Sequence, residues 1–177
     1  AYGMKNVVSK KSNRRPSLFA RVVALIEEAR QKVASVANLA QVYTNYEIGR
    51  QIVEEEQGGK RRAEYGKQVL IDLSSRLSSR FGRGFSVDNL QNMRSFYLAY
   101  SAIEIYETPS SKSSGENYET LSRKFTLSWS HYVLLTRISD PVERAFYERE
   151  ATQGNWSFRQ LERMYRTSTF ERLQISK

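Results

Sequence analysis

The stretch Glu64–Tyr100, EYGKQVLIDLSSRLSSRFGRGFSVDNLQNMRSFYLAY, reads as helix, glycine turn, helix, and the rest of the chain can be arranged around it. Apolar residues recur at helical spacing in its first half (Val69, Leu70, Leu73, Leu77) and again in its second (Leu90, Met93, Tyr97, Tyr100). Between the halves, Phe81-Gly-Arg-Gly-Phe85 supplies two residues that take positive φ at little steric cost. A helix-turn-helix needs such a turn and a continuous helix does not. The second helix carries its own start signals: Ser86 as N-cap, Asp88 in the first turn, and Phe85 placed to staple onto Leu90.

Upstream, Ser17 can cap a helix expected to run to about Gln57, where Gly58-Gly59 stops it. Within it Val22, Ile26, Ala29, Val33, Val36, Ala40 and Tyr43 keep the four-three spacing of a coiled-coil seam. After Tyr43 the apolar positions move to Tyr46, Ile48, Ile52 and Val53, so the buried face is expected to change there. So long a helix either breaks near Asn38 or Asn45 or pairs with a second copy. The seam favours pairing, and a homo-oligomer, a dimer first, is the expected state. Glu54-Glu55-Glu56 reads as a solvated helix end, because consecutive carboxylates point in different directions and make no metal site. Residues 1–16 are basic and without period, which predicts a disordered arm whose Lys10, Lys11, Arg14 and Arg15 are available to phosphates; residues 1–3 are expected to be an added remnant ahead of Met4.

Downstream, Ile103-Glu-Ile-Tyr-Glu107 alternates, and Tyr118 to Leu127 does so loosely around a loop over 107–117, which is read as a short hairpin, a wing beside the helix-turn-helix of residues 60–106, or merely an ordered loop with a mobile tip. Three helices are expected to close the chain within 118–177. Ser128 caps the first, with Leu127 stapled to Tyr132. Asp140-Pro141 opens the second, with Glu143 completing a capping box. Ser157 and Gln160 form the box of the third, with Trp156 stapled to Leu161. Arg159, Arg163 and Arg166 give the third a basic edge. The expected fold is all-α: a long N-terminal helix or helical hairpin over 17–58, a helix-turn-helix core, and C-terminal helices, forming one domain over 17–177.

The chain has no cysteine, which excludes disulfides and thiolate metal sites and is compatible with the cytoplasm, the expected location. No run of eighteen apolar residues occurs, so no membrane span is expected. The net charge of +9 is uneven: residues 1–20 carry +5, 21–59 carry −2, 60–100 carry +5, 101–120 carry −3 and 121–177 carry +4. The helix-turn-helix is thus one of the basic parts, and a basic helical domain points to nucleic acid, double-stranded DNA first. Lys60, Arg61, Arg62, Lys67, Arg76, Arg80 and Arg83 are the candidate phosphate contacts.

Projected at about 100° per residue, the second helix places Val87, Leu90, Met93, Phe96, Tyr97, Leu98 and Tyr100 on one arc. Asp88, Gln91, Asn92 and Ser95 fall opposite, with Asn89 and Arg94 on the borders. Amides can hold adenine through paired donor and acceptor bonds, so Gln91, Asn92, Arg94 and Ser95 are the candidate base-edge residues. The competing reading of this face is an ordinary solvated surface, and the competing function is a protein-interaction or oligomerisation domain built on the long helix. No cofactor motif or small-molecule site is read. The single histidine, His131, lies near a helix start beside Ser128, but no third group completes a catalytic set, and no Glu-x-Lys or Asp-x-Lys triplet of a metal-dependent nuclease occurs. The chain as given is expected to bind and not to catalyse.

Tyr46-Glu-Ile-Gly-Arg50, Ile52-Val-Glu-Glu-Glu-Gln57, Ala63-Glu-Tyr-Gly-Lys67, Phe81-Gly-Arg-Gly-Phe-Ser86, Asn89 to Tyr100, Leu127-Ser-Trp-Ser-His-Tyr-Val-Leu-Leu135 and Asn155-Trp-Ser157 resemble the N-terminal domain of the bacterial YhcG family. The resemblance covers about residues 17–175. It implies a helical DNA-binding domain that normally precedes a nuclease domain of the PD-(D/E)XK type, and hence a role in targeting or assembling a DNA-cleaving protein. That nuclease half is expected to lie beyond Lys177, so no catalytic residue is carried over.

Overall fold

The structure, a computed structural model, describes residues 17–58, 63–107 and 125–175; for 63, 64, 102–107 and 173–175 it describes the backbone only. Every regular element among them is a helix: α1 (Leu18–Gly58), α2 (Ala63–Phe81), α3 (Val87–Glu107), α4 (Trp129–Leu135), α5 (Pro141–Gln153), α6 (Phe158–Arg166) and α7 (Thr169–Ile175). The chain divides into two compact units, Ala1–Ser35 and Val36–Lys177. Lys60, Arg61 and Arg62, the basic arm and the loop of the expected wing lie outside the described residues.

Helix α1 passes through Asn38 and Asn45 without the break that either was expected to allow. In the first unit it is solvated: Phe19, Val22, Ile26 and Val33 are exposed, Val33 at 71%. In the second unit its buried face is Val42, Asn45, Tyr46, Gly49, Ile52 and Val53: Tyr46, Ile52 and Val53 are buried as the spacing predicted, while Ile48 is half-buried and the face already begins at Val42.

The glycine turn forms as expected. Gly82 and Gly84 adopt φ of 79° and 108°, a region costly for any residue with a Cβ. Ser86 Oγ accepts the Asn89 N–H at 3.2 Å, and Phe85 packs on the cluster that contains Leu90. Two expectations for α3 are corrected. Val87 and Leu98 are exposed, so the buried stripe narrows to Leu90, Met93, Phe96 and Tyr100. The alternation at 103–107 is helical and no strand of a hairpin, because two isoleucines two apart carry no helix break, and the first breaker is Pro109.

Helix α3 belongs to two cores. Leu90 and Met93 join Ile52 of α1 and Leu70 of α2 in one. Phe96 and Tyr100 join Val42 and Tyr46 of α1 with Phe125, Tyr132, Leu135, Ile138, Tyr147 and Leu161 in the other. Phe96 lies at the centre of the second, its ring centroid 4.9 Å from that of Tyr132, 5.1 Å from Phe125 and 5.4 Å from Trp129. Offset and edge-on pairs of this kind add attraction beyond the area they bury. Between the two cores α1 meets α3 at Gly49, where a Cβ would collide with the Met93 carbonyl. Only a residue without a side chain permits that approach.

The C-terminal helices carry most of their expected signals, with three corrections. Ser128 is the N-cap residue of α4 by backbone, but its hydroxyl bonds the His131 ring and not a helix N–H. Asp140 caps α5 by accepting from Val142 N–H at 2.9 Å, with Pro141 at N1 and no returning bond from Glu143 among the described residues. A fourth helix, α7, was not expected. Tyr147 Oη holds its start by accepting from Phe170 N–H at 3.2 Å, a tertiary bond, and Glu171 stands in its first turn. The Ser157–Gln160 capping box forms in full, and Trp156 packs on the core that includes Leu161.

One carboxyl group joins these helices to α3. Glu148 accepts from Tyr100 Oη at 3.0 Å and from Tyr132 Oη at 3.3 Å. Burial raises its pKa above the ordinary 4.5, against the lowering effect of the two phenols and of Arg144. Burial first, then the charge of Glu148, lifts both phenols well above their usual range. Burial also raises Glu143, with Glu171 and Asp140 adding to the shift.

Gly49→Ala is expected to destabilise the protein by about 3 kcal/mol through forced separation of α1 and α3, read as a lowered midpoint in denaturant unfolding. Folded Glu148 holds a proton that the unfolded chain has released above pH 4.5, so its contribution to stability falls as pH rises from 4.5 through the raised folded value. Melting curves across that window should show this decline in the native protein. They should show a shallower one in Glu148→Gln, where the Glu143 contribution remains.

Candidate nucleic-acid interface

Arg76, Arg80 and Arg83 follow one another at spacings of four and three, along one face of α2 and into the turn. All three are exposed. Arg76 reaches Asp72 at 3.7 Å, but both side chains are mostly solvated, so the pair holds the guanidinium only weakly. The Arg80 guanidinium lies 5.2 Å from the Phe81 ring centroid, a contact that fixes its direction without neutralising it. Lys67 is exposed near the start of α2. Among the described residues Lys67, Arg80 and Arg83 form no ion pair.

On α3, Gln91 is exposed, and Asn92 and Ser95 are half-buried. Arg94 has a different partner from the one expected. Its Nε donates to Glu56 Oε2 at 2.7 Å, with the two side chains only 31% and 18% exposed. Glu56 was read as part of a solvated helix end. It instead ties α1 to α3, and Gly66 of α2 packs against it, a Cβ there lying 3.0 Å from Oε1. Its neighbours do point elsewhere: Glu54 pairs with Arg50, and Glu55 accepts from Tyr65 Oη at 3.3 Å.

Asn89, placed on the border of the amide face, is also used internally. Its Nδ2 donates to the Gly84 carbonyl and its Oδ1 accepts from Trp129 Nε1 at 3.1 Å. One side chain thus fixes both the glycine turn and the start of α4. Sequence reasoning missed this role, and the Trp in Leu127-Ser-Trp-Ser-His was the only hint, since a buried indole N–H requires an acceptor. Beside the turn, α1 and α2 enclose a mostly apolar groove of about 1060 Å³ lined by Ile48, Ile52, Val69, Leu73, Leu77 and Phe85, with Glu47, Glu55, Asp72 and Arg76 as its charged lining.

The Ser128–His131 pair has a structural explanation. His131 is buried, its Nε2 lies 2.9 Å from the Trp156 carbonyl, and its Nδ1 lies 2.6 Å from Ser128 Oγ. A carbonyl can only accept, so Nε2 carries the proton and Nδ1 accepts from the serine hydroxyl. The ring therefore joins the start of α4 to the approach to α6. Among the described residues no three His, Cys, Asp or Glu side chains group to hold a metal ion, and no helix is long and apolar enough to cross a membrane.

Arg94→Ala is expected to lower stability by about 2 kcal/mol. In a double-mutant cycle with Glu56→Ala the two losses should not add, since either change removes the same bond. Additive losses in urea titrations would show that the pair is not coupled.

The chain matches the DUF1016 N-terminal domain over residues 21–172. It is 39% identical over 170 residues to an Escherichia coli (strain K12) protein named "Putative nuclease YhcG". The alignment covers 88% of this chain and 45% of that protein, so the chain spans about half the length of this relative. No solved structure matches. With residues 21–172 matched, from within α1 to within α7, the chain belongs to the DUF1016 N-terminal domain family.

Proposed function

We propose that this chain is the DNA-binding and targeting module of a nuclease, meeting the duplex with the basic side of its helix-turn-helix. The observation that carries the reading is the row Arg76, Arg80 and Arg83, exposed along the end of α2 and the turn, beside a helix whose outer side offers Gln91, Asn92 and Ser95. Guanidinium groups there suit phosphates, and amides suit base edges in the major groove. Lys60, Arg61, Arg62 and Lys67 extend the phosphate contacts. Arg94, held by Glu56, belongs in this reading to the scaffold that aims the helix. The relative's name, a nuclease of about twice the matched length, gives the module something to deliver.

A second reading is self-association through α1, favoured by the solvent exposure of Val22, Ile26, Val33 and Val36 on the seam. Ala29, Ala40 and Tyr43 complete the spacing. The two readings are compatible, since a dimer presents two basic turns.

For the first reading, fluorescence anisotropy with a labelled duplex should show affinity falling steeply with salt. Arg80→Glu with Arg83→Glu should abolish binding at moderate salt while leaving the helical circular dichroism intact. Arg80→Ala with Arg83→Ala should flatten the slope of log K against log salt by about 2. Affinity unchanged in the charge-reversed pair would remove these residues from the interface.

A further inference from the structure

We infer that Phe81, at the tip of the helix-turn-helix, stacks on an unpaired base, so that the module binds duplex DNA interrupted by unpaired bases more tightly than uniform duplex. The stacking rests on the DNA-binding reading and narrows it to a class of DNA.

Phe81 is the last residue of α2 and is 60% exposed. It belongs to neither core, so the packing of the fold gives no account of so large an apolar side chain at this position. Its neighbours hold the ring without covering it. The Phe85 ring lies 6.0 Å away, tilted by 54°, and Phe85 itself packs on the cluster that contains Leu90. The Arg80 guanidinium lies beside the ring, as described for the basic row. Beyond Phe81 come Gly82 and Gly84, where a Cβ would meet nothing within 4 Å. The chain is therefore bare backbone on both sides of Arg83, and a strand of nucleic acid can come close to the ring.

The chemistry of the tip favours a nucleotide over an apolar peptide. Phe81 lies between Arg80 and Arg83, which are exposed and form no ion pair among the described residues. An apolar partner seated on the ring would bring uncharged surface against two guanidinium groups that nothing neutralises. A nucleotide offers each group its complement: phosphate oxygens for the arginines and a π face for the ring. Magnitudes then choose the kind of DNA. Opening a stacked step in uniform duplex costs about as much as one aromatic ring regains by stacking. A single phenylalanine thus gains little from uniform duplex, and gains fully where a bulge, gap or flap leaves a base already unstacked.

Fluorescence anisotropy of the whole chain tests this with a uniform duplex and with the same duplex carrying a central bulge of unpaired thymines. The native chain should bind the bulged duplex about tenfold more tightly. Phe81→Ala should bring the two affinities to within about twofold of each other, with affinity for the uniform duplex and its salt dependence as in the native chain. Phe81→Leu keeps apolar bulk without a π face, and should lose the preference as well. 5-Iodouracil in place of one unpaired thymine should crosslink on irradiation to the peptide that carries Phe81, and this arm decides should Phe81→Ala unfold. Equal affinity of the native chain for the two duplexes, or a preference that survives in either variant, would overturn the stacking and leave the ring to an apolar partner in the groove between α1 and α2. A native chain that binds neither duplex at low salt would overturn the DNA-binding reading itself.

Discussion

The approach of α1 to α3 at Gly49 is the constraint on which the second unit depends. A side chain at that position would occupy the space of the Met93 carbonyl, so the two backbones meet where other helix pairs are held apart by their side chains. With α1 that close, α3 can place Leu90 and Met93 in one core and Phe96 and Tyr100 in the other, and α1 contributes to both through Ile52, Val42 and Tyr46. The Arg94–Glu56 bond, about two turns further along α1, holds the same pair of helices from the solvent side. Close packing and a half-buried ion pair thus act on one crossing.

The C-terminal helices are held to α3 mainly by aromatic and polar contacts around Phe96. Tyr100 and Tyr132 turn their rings into the core and their hydroxyls toward Glu148, so one carboxyl serves two elements. Arg144 lies over the Tyr100 ring and donates to the carbonyls of Ile138 and Ala99, joining α5 to α3. His131 and Tyr147 make similar use of single polar atoms, tying α4 to Trp156 and α7 to α5. Beside the apolar residues they give to the core, these helices are tied together by bonds that no element could make alone.

For function, the same arrangement separates residues that hold the turn from residues that are free to act. Asn89 and Arg94 are engaged internally, while Arg76, Arg80, Arg83 and Gln91 face solvent from a turn fixed by Asn89 and Trp129. If this surface meets DNA as proposed, it gains from rigidity beneath it, since less order is lost on binding.

Local physics made much of this legible from the residues alone. Helical periodicity located α1 to α6, the two glycines located the turn, Ser86, Asp140 and Ser157 marked helix starts, and the change of face after Tyr43 was readable from spacing. The motifs from Tyr46 to Ser157 also pointed to the family that the domain match confirms. What the sequence could not decide was which polar residues turn inward. Glu56 and Arg94 sit in helices where solvation was the simplest expectation, Asn89 stood on a polar border, and the start of α7 is held by Tyr147, 23 residues away. Gly49 likewise reads as an ordinary helical residue until a second helix is brought against it. Periodicity and capping act within one element, whereas these choices depend on which elements meet, and only the tertiary structure supplies that.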